Sequence, residues 1–361
     1  MKRIVYIGKY NGIIGGIERY MQNSAALLRR NGFTVQYLYT EEGGKEREKF
    51  AAAFDAVQRF TPEHDSLKQA DLIVLHNIIS PAYLSGLPVH KTFFFAHDHN
   101  IYCQRHHYYT PFGRVNCSRK FHPLRCALCS LGRNSAPPLK SYCRFPAIVL
   151  SDYMAENLRK NGFVNVVKLP AFIRTAEKEH RFMQDGVLRL LFLGQLIRGK
   201  GADLMLNALA KLDIPFTCTI AGDGNDRIML ENMVEKWNLC DKVQFKGFVS
   251  EPEHLWDDCD VFVFPIRWQE PFGLVGLEAM AHGVPAVAFD LGGVREWLTD
   301  GVSGIAVPEH GDLCAALKRL YEQHKILLPE MGRAALRLAG EKFSEEMFTA
   351  KFKGLCEEMQ K

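Results

Sequence analysis

Residues 261–289, VFVFPIRWQEPFGLVGLEAMAHGVPAVAF, decide the fold. Val261–Pro265 and Ala286–Phe289 are apolar runs of strand length, without the alternation of a strand that has one wet face. Such runs suit a parallel sheet covered on both sides. Residues 274–283 read as a helix between them, which makes one β–loop–α–β unit. Its loop lies at a strand's carboxyl end, where open parallel sheets take their ligands. There Gly273 frees the backbone for close approach, and the amides of Gly273, Leu274 and Val275 open a helix. That geometry suits a diphosphate. Glu278, one turn into the helix, offers a carboxylate that can accept both hydroxyls of a ribose. Glu270 precedes the turn and faces whatever the phosphate carries.

The same alternation extends outward in both directions. Upstream come a strand at Leu188–Leu193, a helix at Ala202–Lys211, and a strand at Phe216–Ala221 that ends in Gly222-Asp223-Gly224. Residues 226–238 read as a helix, Val243–Phe245 as a strand and 251–259 as a short helix. An earlier set comprises strands at Arg3–Gly8, Thr34–Tyr39, Asp71–His76, Thr92–Ala96 and Ala147–Leu150, with helices at 17–31 and 152–161. Two successive sets predict an α/β protein of two doubly wound, Rossmann-like domains. The polar stretch RTAEKEHRFMQDG within 170–187 reads as the linker. A length of 361 residues agrees with about two domains at ~150 residues each.

Composition excludes other classes. Hydrophobic residues make up 47% and charged residues 24%, which rules out fibrous and disordered chains. A net charge of +4 is too mild to mark a nucleic-acid binder. No window approaches 18 consecutive apolar residues, and the run after Met1-Lys2-Arg3 is too short for a signal peptide. A cytoplasmic location is expected, where clustered cysteines are more often metal ligands than disulfides.

Around EPFGLVGLEAMAHGVPAVAF, the two glutamates seven residues apart resemble the signature of the retaining glycosyltransferases of family 4, which have the GT-B fold. Other segments agree in order and spacing: the Gly15-Gly16 loop, FLGQLIRGKGADLMLNAL at 192–209, IAGDG at 220–224, KVQFKGFV at 242–249 and GGVREWLTDGVSG at 292–304. The resemblance implies that residues 1–172 bind the acceptor, completed by a C-terminal helix at 341–361, and that 173–340 bind a nucleotide-diphosphate sugar. It implies transfer of a sugar with retention, without a catalytic divalent metal, to a glycan or lipid-linked acceptor in cell-surface polysaccharide synthesis.

Carried over residue by residue, Glu278 would bind the donor ribose, Glu270 the sugar hydroxyls, and Lys200 the leaving diphosphate. The family commonly has arginine five residues before that lysine, where this chain has Gln195; Arg198 is the nearby candidate to replace it. Gly15, Gly16, Gly222, Phe272, Gly273, Leu274 and Val275 would line the donor, and the backbone around Gly247, Phe248 and Val249 would receive the base. His97, at the end of the apolar strand FFFA, resembles the family residue near the reaction centre, and Asp98 is positioned to orient its imidazole.

One segment, residues 99–151, is unusual in two ways. It holds Cys103, Cys117, Cys126 and Cys129, with Cys143 further on. Cys126-x2-Cys129 is a good bidentate pair for a soft metal, and two more thiolates complete a tetrahedron. Zinc and an iron–sulfur cluster fit equally. Cys143, His106, His107 and His122 are substitute ligands. The segment also has no Asp or Glu, against Arg105, Arg114, Arg119, Lys120, Arg125, Arg133, Lys140 and Arg144. With His107, Tyr108, Tyr109 and Phe112, this basic stretch suits an anionic membrane at the inner face of the cell membrane, a diphosphate-linked lipid, or the charge of a thiolate cluster. Two rival functions remain: a GT-B nucleotide-sugar epimerase, which would consume donor without acceptor, and a metal-stabilised nucleic-acid-binding protein, though nucleic acid is not the expected partner.

Overall fold

The computed structural model describes residues 2–358 apart from Asn77, Ile78, 111–114, 132–136, Lys178 and Gln184. Phe112, Arg114 and Arg133, singled out above, lie outside the described residues, as do 359–361 of the expected C-terminal helix. The chain divides into two compact units: one runs through Ala171 and resumes at Glu345, and the other is Phe172–Ser344.

The first unit contains β1 (Arg3–Tyr10), α1 (Gly16–Arg30), β2 (Thr34–Glu41), α2 (Arg47–Ala51), β3 (Ala56–Arg59), α3 (Asp65–Gln69), β4 (Leu72–Leu75), α4 (Pro81–Leu84) and β5 (Thr92–Phe95). After these come α5 (Pro123–Ser130), α6 (Leu139–Tyr142), β6 (Ala147–Val149), α7 (Asp152–Lys160) and β7 (Val166–Lys168). Its sheet has the order β3-β2-β1-β4-β5-β6-β7, every neighbour parallel. The second unit contains β8 (Leu188–Leu193), α8 (Ala202–Leu209), β9 (Phe216–Ala221), α9 (Arg227–Lys236), β10 (Val243–Gly247), α10 (Glu253–Asp257), β11 (Val261–Phe264), α11 (Leu274–Ala281), β12 (Ala286–Phe289), β13 (Gly304–Val307), α12 (Leu313–Glu322) and α13 (His324–Phe343). Its six strands run β10-β9-β8-β11-β12-β13, again all parallel. α14 (Glu345–Glu358) belongs to the first unit, where Phe352 meets Phe33 edge to face at 5.8 Å.

In both sheets the strand order reverses beside the first strand, so β1/β4 and β8/β11 are the switch points where such sheets bind ligands. The central strands β4, β5, β11 and β12 are buried along their whole length, as their continuous apolar runs predict. No helix among the described residues is long and apolar enough to cross a membrane.

The expected linker is not free chain. Ala176 N–H bonds the Ala281 carbonyl at 2.7 Å, and Met183 is buried with its N–H on Asp260 Oδ1 at 2.7 Å. Asp260, fully buried, also accepts the Arg189 backbone N–H and both arms of its guanidinium at 3.0 and 2.7 Å. Strands β3, β7 and β13 escape a reading by apolar runs because they are sheet edges or short: AVQR, VVK and GIAV. The C-terminal helix begins at Glu345 rather than 341, because α13 continues to Phe343 and Ser344 breaks it in an extended conformation.

Candidate functional site

In the second unit, loops after β8 and β11 meet at the switch point. Lys200 closes a 3-10 turn, Arg198–Lys200, and its Nζ lies 2.9 Å from Glu270 Oε2, with 24% and 13% of the side chains exposed. The two form an ion pair in a partly buried place. The turn is pinned from the β11 loop. Arg267 N–H bonds the Gly199 carbonyl at 2.9 Å, its guanidinium reaches the Arg198 carbonyl, and it clamps both oxygens of Asp203 at 3.0 and 2.6 Å. Trp268 lies so close that a Cβ on Gly199 would meet its ring at 2.1 Å. Arg198 is exposed, and its side chain makes no ion pair among the described residues. Gln195 is exposed in the same loop.

Gly273 caps α11 in the left-handed region, φ +89°, a conformation other residues resist. The first-turn amides of Leu274 and Val275 have no carbonyl in their own helix to bond. Glu278 is half-buried one turn on. Trp297 underpins the turn: its Nε1–H bonds the Phe272 carbonyl at 2.7 Å, and its ring fills the space beside Gly276. The β12 loop is zipped to Glu270, whose carbonyl accepts Gly293 N–H at 2.7 Å; a Cβ on Gly292 would sit 2.2 Å from that oxygen.

One donor-lining expectation changes. The Phe272 ring is 2% exposed and packs on Phe343, so it is core rather than a ligand contact. Gly222 lies tightly against the β8 loop, where a Cβ would be 1.8 Å from the Gly194 carbonyl oxygen. Gly247 forms a bulge at the end of β10, followed by exposed Phe248 and half-buried Val249.

In the first unit, Gly15 and Gly16 open α1. Gly15 is extended, its N–H bonds Glu18 Oε2 at 3.0 Å, and a Cβ on either glycine would meet nothing within 4 Å. Burial raises the pKa of Glu18. His97 stacks on Phe95 at 4.2 Å, with Tyr20 edge-on at 5.4 Å. Its Nε2 pairs with Nδ1 of His76, which follows β4, at 2.9 Å. Burial lowers the pKa of His97 to about 3 and that of His76 well below its ordinary value. Both rings are therefore neutral at pH 7. Asp98 does not orient His97: its carboxylate accepts Asn100 N–H at 2.9 Å and Asn100 Nδ2 at 2.8 Å, and burial raises it to about 6. His76 fills the place expected of Asp98.

Sequence reading missed His76, Glu18, Asp203, Arg267, Trp268 and Asp260. Arg267 and Trp268 stand in the loop that leaves β11 and His76 directly after β4, the kind of position that draws notice to His97.

Comparison with known proteins now bears on this geometry. Residues 174–336 match the family of Glycosyl transferases group 1. That match lies within the second unit. A D-inositol 3-phosphate glycosyltransferase of Pseudarthrobacter chlorophenolicus is 34% identical over 196 residues, 51% of this chain and 46% of that relative. An O-antigen biosynthesis glycosyltransferase, WclY, of Escherichia coli is 34% identical over 114 residues, 32% of this chain and 31% of WclY. The chain thus spans less than half the length of these curated relatives. Among solved structures, Anabaena Alr3699/HepE in complex with UDP and glucose superposes with a TM-score of 0.74 at 16% identity, covering 99% of this chain and 100% of that one. The fold is GT-B: two Rossmann-like units with parallel sheets of seven and six strands.

Proposed function

We propose that this chain is a retaining glycosyltransferase of family 4. It moves a sugar from a nucleotide-diphosphate sugar to a glycan or lipid-linked acceptor in cell-surface polysaccharide synthesis. The observation that carries this reading is the Lys200–Glu270 pair, locked by neighbouring loops beside the open end of α11. In the free protein each is the other's counter-ion. With donor bound, Lys200 turns to the diphosphate, joined by Arg198 in place of the arginine absent at Gln195, and Glu270 accepts sugar hydroxyls. The amides of Gly273, Leu274 and Val275 hold phosphate oxygens, Glu278 takes the ribose, and the backbone of Gly247–Val249 borders the base. A departing diphosphate gathers negative charge, and a fixed cation and helix terminus stabilise it more in the transition state than before it. No divalent metal is needed for that task.

In the first unit, Gly15 and Gly16 let backbone approach the diphosphate; nothing inside the protein needs glycine there. His97, held neutral by its neighbours, acts at the reaction centre as a hydrogen-bonding group rather than a cation. The acceptor proton passes to the leaving phosphate in a front-face substitution. HepE's complex with UDP and glucose and WclY's role in O-antigen synthesis support the donor and product classes.

The reading also places a lipid surface at the segment between β5 and β6. α5 turns Leu124 and Leu128, each 73% exposed, and then Leu131, 56% exposed, to solvent within the stretch that lacks carboxylates. Peripheral attachment at the cytoplasmic face follows, tested by flotation with anionic against zwitterionic vesicles.

A thermal-shift screen of UDP-, GDP-, ADP- and dTDP-sugars identifies the donor. Glu278→Ala is expected to abolish turnover and to weaken donor binding at least about tenfold. Unchanged donor affinity sinks the ribose role. Consumption of donor without acceptor would indicate an epimerase, and tight RNA or DNA binding with no nucleotide-sugar affinity would indicate a nucleic-acid-binding protein.

A further inference from the structure

The segment between β5 and β6 sends Ile101, Tyr102, Tyr108, Tyr142 and Phe145 into the first unit's core, and Cys103 and Cys117 lie against that core. Tyr108 links these two cysteines through its own backbone: its N–H donates to Cys103 Sγ at 3.3 Å, and its carbonyl accepts Cys117 N–H at 2.8 Å. The hairpin that returns the chain is closed by Thr110 N–H on the Val115 carbonyl at 2.9 Å and by an antiparallel bridge between Tyr109 and Asn116. The other two cysteines stand on α5, where His122 N–H donates to Cys126 Sγ at 3.4 Å. Their four thiols share one electrostatic neighbourhood. Cys103 feels Cys117 and Cys126, and Cys129 feels the same two. The Arg119 side chain hydrogen-bonds Cys117 and lies near Cys126 and Cys129, and the Arg105 guanidinium holds the Cys129 carbonyl at 3.3 Å.

Burial on α5 is inverted. Leu124, Leu128 and Leu131, at i, i+4 and i+7, face water, while Cys126 and Cys129 lie on the opposite, half-buried side. An amphipathic helix docked by the hydrophobic effect would do the reverse. That inner face carries Cys126, Ala127, Cys129 and Ser130 rather than large apolar side chains. None of the four cysteines is in a disulfide. Amide and guanidinium donors aimed at sulfur are the second layer that a thiolate–metal centre needs.

We propose that Cys103, Cys117, Cys126 and Cys129 bind a thiophilic metal centre, Zn2+ or an iron–sulfur cluster, that staples this segment to the first unit. Cys143 is not a ligand. Its Sγ turns to the Asn161 carbonyl, 4.0 Å away, and its charged neighbour is Lys120. Among the described residues no three His, Cys, Asp or Glu side chains are grouped so as to hold a metal ion, so binding requires the four thiols to come together. For zinc the balance is simple. Each thiol releases a proton to solvent and gives an electron pair to Zn2+, leaving a centre of charge −2 with no change of oxidation state. Arg119 and Arg105 stand where that charge would form.

The test uses the full chain, purified anaerobically from cells supplied with zinc and iron. Elemental analysis is expected to find one zinc per chain with a colourless protein, or iron and sulfide with a brown one; either supports the proposal, and the spectrum tells which. Chelator-stripped protein titrated with Co2+ should develop the bands of a tetrahedral thiolate site. Cys126→Ser and Cys129→Ser should weaken Co2+ binding at least about tenfold, whereas Cys143→Ser should leave it unchanged. Stoichiometric metal missing from the wild-type chain together with no Co2+ thiolate spectrum overturns the proposal. Loss of binding in Cys143→Ser, or a Cys126–Cys129 disulfide in the anaerobic protein, overturns the ligand set.

Discussion

The loops around Lys200 and Glu270 in the second unit and the Gly15-Gly16 turn and α5 segment in the first are held in opposite ways. In the second unit they brace one another. Gly292 presses on Glu270, Trp268 on Gly199, and Arg267 grips Asp203 while bonding two carbonyls of the Lys200 turn. In the first unit, the Gly15-Gly16 loop touches nothing where a side chain would go, and the α5 segment turns its leucines outward. The difference separates a site built in advance from surfaces completed by what they bind. Preorganised charge is worth most where a transition state gathers charge, which suits the braced Lys200–Glu270 loops to the donor role proposed for them.

The largest expected effect tests the preorganised charge. Lys200→Ala should cut turnover about 10²- to 10³-fold, as losing one fixed stabilising group does elsewhere, and steady-state kinetics with the identified donor measures it. A loss below tenfold would mean the pair is structural. Next, Asp260→Ala strands the Arg189 guanidinium and the Met183 amide, and should cost about 3–5 kcal/mol by denaturant unfolding of the second unit. A matched glycine pair sharpens the contrast. Gly292→Ala, at φ +66° and 2.2 Å from the Glu270 carbonyl oxygen, should lose about 1–3 kcal/mol. Gly15→Ala should stay within about 0.5 kcal/mol yet weaken donor binding. Equal destabilisation of the two would dissolve the distinction.

The smallest effect is in acid. With pKa values depressed by burial, His76 and His97 stay unprotonated in the folded state below pH 6.5, while the unfolded chain takes up protons. Stability of the first unit is therefore fully present above pH 6.5 and falls as pH drops, by about 1 kcal/mol per histidine from pH 6.5 to 5.5. Asp98, raised to about 6, works in the opposite direction, gaining stability as pH falls from 6 towards 4. His97→Gln should flatten the acid slope in a pH series of thermal melts.

Much of this was legible in the chain. Apolar runs and turn residues placed β8, β9 and β12 to the residue, and the positions after strands led to Lys200, Glu270 and His97. What escaped were partnerships across long sequence separations. The clamp of Arg267 on Asp203 spans 64 residues, and Asp260 meets Arg189 across 71. Local periodicity carries no trace of either. Asp98 was the natural orienter of His97 as its chain neighbour, but a tight turn spends it on Asn100, and sheet order delivers His76 from the adjacent strand instead. Phe272 faces the donor in the family resemblance, whereas its ring packs on Phe343, a contact across 71 residues that no local pattern announces.

The missing carboxylates between Asp98 and Asp152 have a consequence for regulation. The segment's fixed charges are those of its lysines and arginines, and it has no carboxylate of its own to offset them. The reach of such a patch is set by salt, about 8 Å at 0.15 M. On the proposed reading, any anionic surface it meets is released by competing ions, or by negative charge gathered at the neighbouring thiols.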